Sequence, residues 1–540
     1  MLLSSSARQS LSPTLVLTHL FIYLKCIQLS LGCSGEWSSA GSIPSSHCSC
    51  LTFPPFFFSY RKYSANQKVG SFHYVHKTPF GNYSFVCMDA TLTPGPKRPY
   101  NFFGILNRTQ MDLLDTFRVE SLESNQSIWF GHYTTSTVVS PSPGVRDMMR
   151  SAVAYVCGHL HTLGGLMPVL HSRHPKGTLE LELGDWMDNR RYRVLAFDHD
   201  LLSFSDLSFE KWPAVLITNP KNAQYLHPGV EPLARIRRST HIRILAFSEA
   251  LITAVHVSID GEPHGKGRSA GGPLYVLLWD PSLYLTGLHT IRVKVEDSAG
   301  RSTVREQHFT LEDSLTPSFG FVQSFILLTD HYILSRVAFV FMMLLNVGVL
   351  LACRFLRVPS GRGLTSQACV SLHLVSKMDA FFYSLLFFNL CTAVGPWFIG
   401  ELIDGHSGAC FAFGVFIDGH FLEGSLTYVV GVVQLLFFNM PLTAYLCWSL
   451  HQRWRGMTFR SHFLRPGCRW RTLGLHIFML LLLTWQAHSC YFLLQTYGHV
   501  AFFLSPVRTW ALVLSLLLVY RAWTSPAPLI HDNGKRVSPS

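Results

Sequence analysis

Histidine is the side chain best suited to chemistry near neutral pH, as a proton carrier or as a neutral metal ligand. Two histidine-bearing turns stand out by their setting: Ile128-Trp129-Phe130-Gly131-His132-Tyr133 and Ala154-Tyr155-Val156-Cys157-Gly158-His159-Leu160-His161. In each, a short apolar run of the kind that forms a buried strand ends in Gly-His. Glycine allows a sharp turn and a close backbone approach just past a strand, and His-x-His on an extended turn points two imidazoles to one side. Such loops suit a centre of two metal ions roughly 3.5 to 4 Å apart. A lone histidine is ordinarily a satisfied surface or core group; the repetition of Gly-His at two strand ends, once as Gly-His-x-His, sets this pair apart.

The elements that must position these turns read as an α/β layered domain. Tyr83 to Asp89, Ser127 to Phe130 and Val153 to Cys157 have the composition of buried strands, and Thr109 to Glu123 that of a helix. From about Pro213 the pattern changes to short strands of period two: His241 to Ala246, Ala254 to Ile259, Tyr275 to Trp279 and His289 to Val295, separated by glycine-rich turns. That spacing predicts a β-sandwich, and Gly287 to Ile291 with Val293 to Gly300 resembles the late hairpin of immunoglobulin-like or fibronectin-like domains. Such a module binds or braces, so His256, His264 and His289 are read as ordinary strand or loop residues.

The last ~210 residues are of another kind. Lipid leaves no backbone polar group satisfied, so a crossing segment needs roughly 20 mostly apolar residues in helix. Five runs qualify, at about Tyr332 to Cys353, Ala380 to Gly400, Ser425 to Leu450, Leu473 to Gln495 and Val500 to Tyr520, which predicts a five-helix transmembrane bundle. Membrane spans also account for the bulk composition, with 48% hydrophobic and 14% charged residues and a mean hydropathy of +0.23. The net charge of +12 does not signal nucleic acid, because its excess sits in short loops between apolar runs. Arg354, Arg357, Arg362 and Lys377 follow the first run; Arg453, Arg455, Arg460, Arg465, Arg469 and Arg471 follow the third; Arg521, Lys535 and Arg536 end the chain. The loop between the second and third runs carries only acids, Glu401, Asp404, Asp418 and Glu423. By the positive-inside rule the basic loops and the C-terminus are cytosolic, and the head is lumenal or extracellular. Glycosylation sequons at Asn82, Asn107 and Asn125 lie in that head. Asp379, His476 and His488 fall at span faces or ends, so the bundle reads as an anchor. Ile403-Asp404-Gly405-His406 recurs as Ile417-Asp418-Gly419-His420; a solvated loop is the reading taken, a metal-binding re-entrant loop the alternative. Among the 13 cysteines no CxxC pair occurs.

At the N-terminus Leu15 to Leu24 has the form of the apolar region of a signal peptide or signal anchor, and Ser34 to Ser59 reads as linker. The domain plan is therefore 1–59 N-terminal segment, 60–212 α/β head, 213–318 β-sandwich, 325–523 membrane region and 524–540 cytosolic tail.

Gly131-His132 followed by Gly158-His159-Leu160-His161 resembles the last two metal motifs of the calcineurin-like metallophosphoesterases. The resemblance extends from about Tyr60 to Trp523, through stretches such as Asn101 to Leu106, Gly158 to Leu170 and Pro396-Trp397-Phe398, to a membrane-bound member of that family. It implies a four-layer α/β/β/α head, a phosphoester substrate, and Mn, Fe or Zn bound by His132 and His159 to one ion and by His161 to the other. The family's earlier motifs, Asp-x-His, Gly-Asp-x-x-Asp and Gly-Asn-His-Asp/Glu, have no counterpart before His132. Gly81-Asn82-Tyr83 has tyrosine where the histidine is needed, and Gly184-Asp185-Trp186-Met187-Asp188 comes after the histidine motif, as a hairpin loop would. Without bridging carboxylates three imidazoles hold at most one weak metal. The expectation is a membrane-bound hydrolase relative that is catalytically impaired in this chain. The alternative is a receptor or scaffold that binds a lumenal protein partner through its β-sandwich.

Overall fold

The computed structural model describes residues 70–526, apart from 93, 187–188, 313–314, 356–363, 424–425 and 465–468. The apolar run Leu15 to Leu24 and the segment Ser34 to Ser59 lie outside the described residues. Those residues fall into two compact units, 70–90 with 105–329 and 91–104 with 330–526.

In the first unit, β1 (Phe72–Thr78), β2 (Gly81–Met88), β3 (Gln126–Gly131), β4 (Ala154–Cys157), β5 (His171–Arg173) and β6 (Leu179–Glu182) form one sheet in the order β1-β2-β3-β4-β6-β5. The inner strands β2, β3, β4 and β6 run parallel, and β1 and β5 pair antiparallel at the edges. Parallel strands covered on both faces are near-continuously apolar, which is why Ile128 to Phe130 of β3 and Ala154 to Cys157 of β4 show no alternation in the sequence. Val86, Trp129, Tyr155 and Cys157 point to one side, against Met111 and Leu114 of helix α1 (Arg108–Ser121). Phe85, Ile128, Val156 and Leu181 point to the other, against Leu195 of β7 (Arg191–Asp198) and Leu202 of β8 (Leu201–Ser208), an antiparallel pair. The result is helix on sheet on sheet. Helix α1 begins at Asn107, whose side chain accepts from the Gln110 amide at 2.8 Å while Gln110 returns the bond to the Asn107 amide.

The predicted sandwich is present. β9 (Ala214–Asn219), β10 (His241–Phe247), β13 (Arg268–Gly271) and β14 (Leu274–Leu278) form one sheet, and β11 (Ile252–Ile259), β12 (Glu262–Lys266), β15 (His289–Asp297) and β16 (Ser302–Phe309) the other. Alternate residues Ile242 and Ile244, Val255 and Val257, and Ile291, Val293 and Val295 fill the space between them. His289 bonds Asp260 at 2.7 Å and the Thr286 carbonyl at 2.9 Å, a structural role.

The second unit corrects the span count. Among the described residues three helices are long and apolar enough to cross a membrane: α3 (His331–Phe355), the continuous stretch Leu426–Trp454, and Thr472–Phe503. A fourth crossing exists only if the pair Gln367–Lys377 and Asp379–Ala393, bent by 92°, counts as one. The run Ala380 to Gly400 does not stay helical to its end, because Gly395-Pro396 follows Ala393 and cannot continue a helix. The run Val500 to Tyr520 is interrupted at Leu504-Ser505, and the helical stretch that follows, Pro506–Trp510 continuing into Ala511–Thr524, is not among the three. From Phe398 the chain makes a four-stranded antiparallel sheet, β17 (Phe398–Ile403), β18 (His406–Phe411), β19 (Gly414–Ile417) and β20 (His420–Glu423). The repeated Ile-Asp-Gly-His sequences are therefore two hairpin turns. Gly405, Asp418 and Gly419 have φ of 79°, 49° and 80°, the left-handed backbone that Asp-Gly turns supply. His406 bonds Asp418, linking one turn to the other.

Candidate functional site

Parallel topology brings the two Gly-His sequences together. β3 ends at Gly131 and its neighbour β4 at Cys157, so both turns leave the same edge of the sheet, the carboxyl edge where open α/β sheets hold ligands. The Gly158 amide donates to the His132 carbonyl at 3.1 Å, tying one turn to the other. His159 Nδ1 lies 3.0 Å from His132 Nε2, with the rings edge to face and their centroids 4.8 Å apart. A Cβ on Gly131 would stand 2.7 Å from the Met88 carbonyl and 2.8 Å from Tyr155 Oη, so close approach requires glycine there. Tyr155, fully buried, donates from its hydroxyl to the Tyr133 carbonyl at 2.5 Å and fixes the residue after His132. The Tyr133 ring lies against His159, 4.8 Å between centroids.

The third predicted ligand is placed differently. His161 sits at φ 53° in a left-handed run that continues through Leu163, Gly164 and Gly165. Its amide donates to Glu182 Oε1 at 2.6 Å. Among the described residues, no group of three or more His, Cys, Asp and Glu side chains is arranged to hold a metal ion. His132 and His159 are thus brought together, and His161 does not complete a three-donor set with them.

Two nitrogens on one ion, each bonded at about 2.0 to 2.1 Å, stand about 3 Å apart when the bonds are at right angles. The 3.0 Å between His132 Nε2 and His159 Nδ1 is a hydrogen-bond distance between the two rings, and it equals the spacing of two such ligand nitrogens. The ligand set of a two-metal centre is not met by the residues present.

Sequence reasoning passed over three buried residues around the turns. Glu182 faces Cys157 across the β4–β6 pairing and receives the His161 amide. Burial pushes its carboxyl up to about 7, against the pull of its hydrogen bonds, and burial raises the Cys157 thiol well above the ordinary value. Glu180, on the same face of β6, accepts from the Thr135 amide at 2.8 Å and hydroxyl at 2.6 Å, and pairs with His174 at 2.6 Å. It anchors the turn that follows His132. The available signal was Glu at alternate positions of Leu179-Glu180-Leu181-Glu182-Leu183, two acids on one face of a strand otherwise fit for burial.

The two rejected motifs lie elsewhere or do other work. Gly81-Asn82 starts β2, at the opposite end of the strand from the histidines. Asp185 accepts from the Asn189 amide at 3.0 Å, closing the loop between β6 and β7. Because β6 and β7 belong to different sheets, that loop joins two layers and is not the expected hairpin; Met187 and Asp188 lie outside the described residues.

Comparison with known proteins gives the following matches. Residues 209–315 match the family model of the TMEM62 Ig-like domain, and residues 331–506 that of the TMEM62 C-terminal domain. Transmembrane protein 62 of Mus musculus is 55% identical over 468 residues, covering 86% of this chain and 73% of the relative. An Arabidopsis thaliana protein named "Putative metallophosphoesterase" is 26% identical over 323 residues, covering 46% of this chain and 43% of its own. A solved structure of fibronectin(III)-like modules of Clostridium thermocellum CbhA is 21% identical and covers 24% of this chain and 65% of that one, with a TM-score of 0.13.

Proposed function

Because the chain belongs to the transmembrane protein 62 family, we propose that it is a multi-pass membrane protein whose head descends from the calcineurin-like metallophosphoesterases and is hydrolytically impaired as written. The observation that carries this reading is the meeting of His132 and His159 at 3.0 Å on the carboxyl edge of a parallel sheet. That is the geometry of an inherited metal-binding edge, with two donors in place. Two-metal activation of water needs bridging carboxylates that neutralise the ions and hold them close together; this sequence supplies no Asp-x-His or Gly-Asp-x-x-Asp before His132. His132 and His159 would hold a single Mn, Fe or Zn weakly, without a third donor from His161. The head is lumenal or extracellular and the C-terminal tail cytosolic, in keeping with the basic loops.

The test is turnover of p-nitrophenyl phosphate and its bis-ester by the purified full chain, supplied in turn with Mn, Fe(II) and Zn. Rates should equal those of His159→Ala. Metal-dependent hydrolysis that disappears in His159→Ala would overturn the proposal.

A second reading, a receptor or scaffold for a lumenal protein, is favoured by exposed Leu251, Leu278 and Leu283 on the sandwich. It expects a partner that co-purifies with the chain and is lost when Leu278→Ser and Leu283→Ser are combined.

A further inference from the structure

The last element of the first unit is helix α2 (Phe321–Leu328), with the sequence Phe-Val-Gln-Ser-Phe-Ile-Leu-Leu. Its inner face is fastened to the head. Leu327 is fully buried, and its carbonyl accepts from Arg146 Nη2 at 3.4 Å, while Arg146 Nε donates to the Thr135 hydroxyl at 2.9 Å. Ser172 Oγ, on β5, donates to Ser324 Oγ at 3.1 Å, and Gln323 Nε2 donates to the Val169 carbonyl at 3.0 Å.

The outer face is apolar and uncovered. Phe321, Val322 and Phe325 are 81%, 54% and 44% exposed, at positions i, i+1 and i+4 of one helical side. Beside them the loop that Gln323 holds exposes Leu166 at 82% and Val169 at 43%. Five large apolar side chains in one neighbourhood are unfavourable against water, at roughly 25 cal/mol per Å² of apolar surface. Chain continuity says what covers them. After Leu328 only Thr329 and Asp330 precede His331, where the first membrane-competent helix begins. Three steps of chain reach at most about 11 Å, close to the depth of a headgroup layer, which is roughly 5 to 8 Å per leaflet. A short helix there, with aromatic and aliphatic residues on one side, has the form of an interfacial helix.

We propose that Phe321, Val322 and Phe325, with Leu166 and Val169, form a membrane-docking surface by which the head lies in the headgroup and acyl boundary of a lipid bilayer. The inference rests on the chain's membrane-spanning character and not on hydrolysis. Its consequence for the site is positional. Thr135, which Arg146 bridges to α2, lies three residues beyond His132, and the loop bearing Leu166 follows His161. The segments that carry the Gly-His turns are the ones that dock.

The test places the photoreactive residue p-benzoylphenylalanine at position 321, at 166 or at 268 of the full chain in phospholipid nanodiscs. Arg268 is an exposed residue of β13 in the sandwich and serves as the reference. Irradiation should yield lipid adducts at 321 and 166 and none at 268. With the probe at 166, combining Phe321→Glu and Phe325→Glu should abolish the adduct; both positions are exposed, so the fold does not depend on them. A cross-link from 321 to a second copy of the chain, no adduct above that at 268, or an undiminished adduct at 166 in the double variant would each overturn the proposal.

Discussion

Gly131 and Gly158 look alike in the sequence, each at a strand end and each before a histidine, yet their surroundings differ. A side chain at 131 runs into the Met88 carbonyl and the Tyr155 hydroxyl, whereas nothing lies within 4 Å of one at 158. Gly131→Ala should therefore lower stability by about 1–3 kcal/mol, the usual cost of overpacking, and Gly158→Ala by much less; thermal unfolding of the two variants side by side measures the difference. Sequence alone identified both turns and could not rank them, because the contact at 131 comes from β2 and β4 at once. His227 offers a second measurement. Its ring packs over Gly177, and burial, with the nearby Lys221 and Arg173 charges, lowers its pKa from 6.5 to about 4. The unfolded chain binds a proton between those values that the folded chain refuses. Stability is present above pH 6.5 and is lost as pH falls toward 4, by on the order of 2 kcal/mol. The thermal midpoint should drop over that window, and His227→Gln should flatten the drop.

Among elements, those whose period and polarity agreed were legible: α1, the head strands β2, β3 and β4 and the sandwich strands β10, β11, β14 and β15 lie within a few residues of the predicted segments, whereas β9, β12, β13 and β16 had no predicted counterpart. The membrane region was less so. Apolar composition marks a segment as fit for lipid but does not reveal the bend at Met378, the end of the helix at Ala393 or the sheet from Phe398 to Glu423. The Asp-Gly pairs there were a turn signal overshadowed by the Asp and His beside them. The helices also carry polar residues that the reading as a plain anchor overlooked. Asn346 donates to Asn389 Oδ1 at 2.9 Å, and Asn439 donates to the same atom at 3.2 Å, so three segments meet at one buried amide. Interhelical bonds of this kind contribute about 0.6 kcal/mol each and up to about 1.7. Asn389→Leu removes two of them, taking the acceptor from the Asn346 amide and leaving the Asn439 amide nitrogen only its bond to Thr392 Oγ1 at 3.3 Å, so unfolding in detergent should become easier by on the order of 1–2 kcal/mol. Replacing Asn346, Asn389 and Asn439 together by apolar residues should recover part of that loss. An unchanged midpoint in Asn389→Leu would show that the amide cluster does not hold the segments together.

For the whole molecule, the proposed orientation rests on the arginine-rich loops, and the sequons test it. Asn107 is exposed with its oxygen engaged as a helix cap, whereas the Asn125 amide donates to Asp200 at 3.3 Å. Expressed in cells, the chain should lose mass on treatment with an N-glycosidase, and Asn107→Gln should remove a larger share of that loss than Asn125→Gln. A head without glycans, together with a C-terminal tag protected inside sealed vesicles, would reverse the assigned orientation. Identity and coverage show the family, while the chemistry depends on ligands that a resemblance cannot supply. The central claim is that this chain carries half of a metal site. Metal counting on the purified full chain, after loading with Mn, Fe(II) or Zn and gel filtration, tests it most directly. The account expects one ion per chain or fewer, lost on dialysis and absent in His159→Ala. Two ions per chain that survive dialysis would contradict it.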